Sequence, residues 1–277
     1  MSSLDPALPV EPALAAYLTG ALQADPPEAH REMGRLHILD TLASVVACRD
    51  LEPATLARDY AIALSGEATG AAATILGTRR RASLVDAAFA SAMAAHGAEI
   101  NDFIPSAFVQ PGPAVVSVAL AAAERYGATG AELLRAVMAG YEIAGRMPKA
   151  LGIDNLRKAG LANHGIGPIF GAATAAAILL RLPEDRIGDV WTYCAQQAAG
   201  SWQWLLDVEH IEKSFVFAGL GARAGLQAAL MVSAGFRGVR GALDHPSGWM
   251  RGAPFTGGDA NRAYLTEGLG ERSELPL

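Results

Sequence analysis

Apolar residues recur at three- and four-residue spacing along most of the chain, while the strict alternation of a half-buried strand is hardly seen. Met33, Leu36, Leu39, Leu42, Val45 and Val46 form one such series, closing at Cys48, and Asp25-Pro26-Pro27 ahead of it supplies a cap and a first turn of preset φ. Ser83 with Asp86, and Thr129 with Glu132, have the spacing at which each side chain satisfies a free amide at a helix start. These starts predict helices over 83–102 and 129–147, and the periodicity predicts others over 113–126, 165–180, 183–206 and 217–234. The fold class is all-α, a multi-helix bundle. Runs of small residues, as in 172–177 and 219–229, let helix axes approach closely. Several helices are apolar nearly all round, which places them inside the bundle or against a second subunit, so an oligomer is expected. From Arg251 the pattern weakens into Gly-Ala-Pro and Thr-Gly-Gly-Asp, dividing the chain into a helical domain over 1–250 and an extension over 251–277 that leads toward a further part.

Composition narrows the function classes. Of 277 residues 51% are hydrophobic and 18% charged, with a net charge of −6, which speaks against disorder and against nucleic acid as a partner. Arg79, Arg80 and Arg81 are too few for a basic patch and read as an exposed turn. Two nearly uncharged stretches, 103–123 and 159–180, contain prolines and polar breaks, so they predict loops leading into buried helices, with no membrane partner. The N-terminus lacks the basic and apolar regions of a signal peptide. Cys48 and Cys194 are far apart and belong to no C-x-x-C array, predicting free thiols in the core of a cytoplasmic protein.

Polar groups interrupt the apolar helices at three places. His96, Glu99 and Asp102 are spaced three residues apart at a helix end, where acids oppose the helix dipole; they suit either a catalytic carboxylate or a solvated terminus. Asn163-His164 follows a Gly-rich turn and opens a helix, which suits an imidazole acting beside an anion, or one that fills a core edge. Asp207-Val-Glu209-His210-Ile-Glu212-Lys213-Ser214 lies between apolar helices, and its lysine either clamps a carboxylate or is part of a solvated loop. No metal site is expected, because the spacings match none and the lysine opposes a cation. Trp202 and Trp204 read as core or interface residues, and Glu142 with Arg146 as a structural i,i+4 pair.

Taken in order, Leu39-Asp-Thr-Leu-Ala, the segment 87–96 with its acidic follow-on, Gly140-Tyr-Glu142, Asn163-His164 with Phe170-Gly-Ala-Ala, and Glu212-Lys213 with Gly219 and Ala222-Arg-Ala-Gly resemble the MmgE/PrpD family, whose members include 2-methylcitrate dehydratase, cis-aconitate decarboxylase and iminodisuccinate epimerase. The resemblance implies a helical domain that dimerises, with an active site between it and a smaller α+β domain that this chain is expected to lack and a separate subunit to supply. It implies a cofactor-independent lyase or isomerase acting on a small polycarboxylate. Lys213 and His164 match the family's active-site lysine and histidine. Glu99 stands at the first aspartate of the family's Asp-Phe-Asp-Asp run, and Asn101 and Asp102 at the last two. Gln110 replaces a histidine and becomes a candidate substrate-binding group with Asn163 and Asn101, while Lys213, His164, Glu99 and Asp102 are the candidate catalytic set. The competing expectation is a non-catalytic helical oligomerisation or regulatory subunit.

Overall fold

The computed structural model describes residues 9–21, 25–65, 72–252 and 260–275; the start of the chain and 253–259, with most of the Gly-Ala-Pro and Thr-Gly-Gly-Asp runs, lie outside them. The architecture is helical. Helices α1 (Val10–Ala21), α2 (Glu28–Cys48) and α3 (Glu52–Ser65) precede a short antiparallel hairpin, β1 (Ala72–Thr74) and β2 (Arg81–Ser83). Then come α4 (Leu84–Ala95), α5 (Gly112–Tyr126), α6 (Gly130–Leu151), α7 (Ile153–Lys158), α8 (Asn163–Leu179) and α9 (Glu184–Gln197). A 3-10 turn, Trp202–Leu206, leads to α10 (Ile211–Ser214), which passes through a π turn, Phe215–Gly219, into α11 (Leu220–Ser233).

Helix α8 is the axis of the bundle. Every residue from Asn163 to Leu179 is buried, against α5, α6, α9 and α11. Small residues make this possible: a Cβ on Gly171 would come within 2.5 Å of the Gly140 carbonyl, so α6 and α8 touch backbone to backbone. Both predicted capping interactions are present, Ser83 accepting from the Asp86 amide and Thr129 with Glu132 forming the full reciprocal box. Cys48 and Cys194 are buried, unpaired thiols, and burial raises the pKa of Cys194 well above its ordinary value. Arg81 pairs with Glu124 of α5 at 2.6 Å, and the turn between the strands carries Arg79 and Arg80.

Four expectations are corrected. The helix over 83–102 stops at Ala95, so His96, Glu99 and Asp102 share no helical face. The helix over 183–206 breaks after Gln197, where Ala198 turns extended and Gly200 takes φ 116° to pair its carbonyl with the Ala162 amide. The helix over 217–234 begins earlier, at Ile211, because Asp207 accepts from the amides of Glu209 and Lys213 and so caps the new start. In α2 the inward face is polar and small, with Gly34, His37, Thr41 and Ser44 buried, while Leu39 is 61% and Val46 59% exposed.

Residues 260–275 return to α6. Arg146, fully buried, donates Nε to Glu142 at 2.6 Å and Nη1 to the carbonyls of Tyr264 and Glu267 at 2.9 and 2.8 Å. Glu142 in turn accepts from the Glu274 amide at 2.8 Å, and Lys149 pairs with the Glu274 carboxylate. The expected local ion pair therefore also ties down the last described segment.

Candidate active site

The elements that end or begin near one another at one end of α8 bring the polar interruptions together. His96 terminates α4, Gln110 precedes α5, His164 lies in the first turn of α8, and Lys213 in the short α10. The loop between Asp102 and Gln110 is closed by the Ile104 to Val109 bridge and held by Asn163, whose Nδ2 donates to the carbonyls of Ala107 and Phe108.

Phe217, in the π turn, is the hub. The His164 ring stacks on it with centroids 3.9 Å apart and planes at 17°, and His96 tilts against it at 4.9 Å. Lys213 Nζ lies 5.7 Å from the Phe217 centroid and 4.9 Å from that of Trp204, whose edge also meets His164. Lysine and histidine thus converge on one aromatic wall although 49 positions separate them in the chain, 213 less 164.

The charges are distributed unevenly. Lys213 Nζ pairs with Glu99 Oε2 at 2.6 Å, at the rim, with Glu99 in the left-handed region at φ 51°. Below them His164 is 2% exposed and neither of its ring nitrogens has a hydrogen-bond partner among the described residues. Burial, helped by His96 and Lys213 nearby, lowers its pKa to about 3. His96, fully buried, meets Gln110 Oε1 through Nε2 at 3.0 Å and lies parallel to the His210 ring at 5.3 Å. Burial lowers its pKa to about 4, the Gln110 hydrogen bond opposing and the His210 charge reinforcing that shift. Both imidazoles are neutral near pH 7.

Other predicted site residues are placed differently. Among the described residues no carboxylate hydrogen-bonds the His164 imidazole, so neither Glu99 nor Asp102 orients it in this structure. Asp102 belongs to a separate buried cluster, accepting from the Gly112 amide at 3.1 Å and facing His37 Nδ1 at 3.8 Å. The helix ends seven residues short of Asp102, and the turn that follows swings its side chain toward α2 and the start of α5. Asn163 is a loop anchor, and the Asn101 amide nitrogen donates to the Asp102 carbonyl. His210 and Phe217 were outside the candidate set. His210 lies inside the polar run 207–214 and Phe217 inside an apolar helix, so only their neighbours in space distinguish them.

The helical bundle thus gathers two neutral imidazoles, an ammonium and a carboxylate where several of its helices begin and end. Residues 12–261 match the MmgE/PrpD N-terminal domain, and the chain belongs to that family. The match points to a family of dehydratase or lyase type. No curated protein matches the chain.

Proposed function

We propose that this chain is the helical subunit of a lyase or isomerase that makes or cancels a carbanion beside a carboxylate of a small polycarboxylate substrate. The observation that carries this is the convergence of Lys213 and the unpartnered His164 on the wall formed by Phe217 and Trp204. Lys213 exchanges Glu99 for a substrate carboxylate and draws charge from the developing carbanion. His164 enters the reaction neutral, with a free ring nitrogen to accept the α-proton. A polyanion bound beside it favours the protonated imidazole, countering the burial that keeps it deprotonated in the free chain. Gln110, always neutral, binds substrate and transfers no proton. Asp102 holds the backbone of the loop. No cofactor enters the scheme.

Around these residues the chain presents apolar side chains to solvent: Ile100, Phe103, Phe108 and Leu205, with Leu206 83% and Val208 95% exposed. A rim of this kind suits coverage by another protein surface. We assign it to a further domain that brings the acid for the leaving group. The exposed stripe of α2 is assigned to a second copy of this chain, giving a homodimer through the helical domain.

In single-turnover assays on tricarboxylic and dicarboxylic acids, with any co-purifying chain present, Lys213→Ala and His164→Ala are each expected to lose ~100-fold or more. Wild-type rates in both variants would remove the assigned roles.

A further inference from the structure

Gln110 occupies the most unusual position of the site, a neutral amide among titratable groups, and its orientation is fixed from behind. Its Oε1 lies 3.0 Å from His96 Nε2, and His96 itself is immobilised: it closes α4, is fully buried, and is held between the parallel ring of His210 and the tilted ring of Phe217. His210 cannot swing away either, since its Nε2 donates to the His96 carbonyl at 2.9 Å and its own carbonyl accepts from Ser214 Oγ at 2.7 Å. A neutral imidazole carries one N–H. The amide oxygen of Gln110 only accepts, so that proton resides on Nε2 and leaves Nδ1 bare, consistent with its having no partner among the described residues. The reverse arrangement, with the amide flipped, would bury an N–H with no acceptor, at a cost of about 1–3 kcal/mol. The amide nitrogen of Gln110 then points away from His96 with both hydrogens unused, as it donates to no group among the described residues.

We infer that His96 is a positioning residue that fixes Gln110 as a hydrogen-bond donor toward the site, so that this position selects an acceptor oxygen of a carboxylate ligand. The carboxylate class rests on the function proposed above; the orientation rests on the geometry alone. A histidine at position 110 would switch between donating and accepting with pH. A glutamine backed by an imidazole N–H donates at every pH at which His96 is neutral. Together with Lys213 the site then offers N–H groups from two directions to one anionic ligand, and Gln110 acts through ligand binding alone.

The test uses the full chain labelled with 15N and tricarballylate as the probe. Long-range 1H–15N spectra at pH 7 are expected to show His96 neutral and protonated at Nε2, and the Gln110 side-chain amide is expected to shift on adding tricarballylate. A neutral His96 that carries its proton at Nδ1 overturns the inference, and this measurement needs no variant to fold. By calorimetry, His96→Gln, which retains a donor to Oε1, is expected to bind tricarballylate within about threefold of wild type, whereas His96→Phe loses about tenfold, the worth of one hydrogen bond. Equal affinity in wild type and His96→Phe overturns the positioning role. A wild-type chain that carries the Nε2 proton and binds no tricarballylate removes the polycarboxylate ligand, and the function proposed from it, while supporting the orientation of Gln110.

Discussion

At Gly112 the absence of a side chain is itself a structural feature. A Cβ there would come within 2.5 Å of Asp102 Oδ1 and 2.7 Å of both Thr41 Oγ1 and Tyr141 Oη. The cluster holds a carboxylate almost out of contact with water, and burial raises the Asp102 pKa against the opposing pull of Tyr141 and His37. Gly112→Ala should therefore destabilise the fold by about 1–3 kcal/mol through forced displacement of polar groups, read as a lower urea midpoint. An unchanged midpoint would mean that the cluster yields freely. Residue type alone made Asp102 and Glu99 look like equivalent site acids. A backbone turn of a few residues separated them, sending Glu99 to Lys213 and Asp102 to the amide of Gly112.

Among the elements, α2 and α6 show how far periodicity reaches. The leucine and valine series of α2 predicted the helix correctly and its buried face only in part, since Val45 and Cys48 are buried but Leu36, Leu39 and Val46 are exposed. The face turned inward places His37 and Thr41 beside the Asp102 cluster, while Leu39 and Val46 face outward. In α6 the Glu142 and Arg146 pair was legible as an i,i+4 contact, but its second duty, receiving residues 260–275, has no local signature. Arg146→Ala leaves the Glu142 carboxylate buried and three backbone carbonyls without their donor. A loss of about 3–5 kcal/mol is expected, with earlier proteolytic cleavage within 260–275. Wild-type protease resistance in this variant would show that the segment is held by its apolar contacts, Leu265 and Leu275, instead.

Across the whole molecule, the buried histidines make stability depend on pH. The pKa values of His96 and His164 are lowered from the ordinary 6.5 to about 4 and about 3. Below pH 6.5 the unfolded chain takes up protons at these sites that the native chain refuses, so stability falls as pH drops and the loss is complete only below the native values. By pH 5 each site accounts for about 2 kcal/mol of that loss. Urea denaturation at pH 7 and pH 5 should show the decline, and His164→Phe should reduce it; an identical decline in that variant would place its cause elsewhere. The outward stripe of α2 bears on assembly. Leu39→Glu should convert the proposed homodimer to monomer in light scattering, with the helical circular dichroism unchanged, and a wild-type chain that is already monomeric would refute the assignment.

The sequence by itself determined that this chain is a bundle of helices, because helical periodicity, caps and small-residue runs act within a few residues of one another. The motifs also carried the family, since several short segments in fixed order identify it where none does singly. The tertiary structure decided which faces turn inward, where α4, α9 and α11 begin or end, and which polar residues meet. Those outcomes depend on contacts between segments far apart in the chain, such as the Gly200 carbonyl with the Ala162 amide, or Phe217 with His164 and His96. Residue type fixes what chemistry a side chain is capable of; only its neighbours in space fix which oxygen, nitrogen or ring it faces.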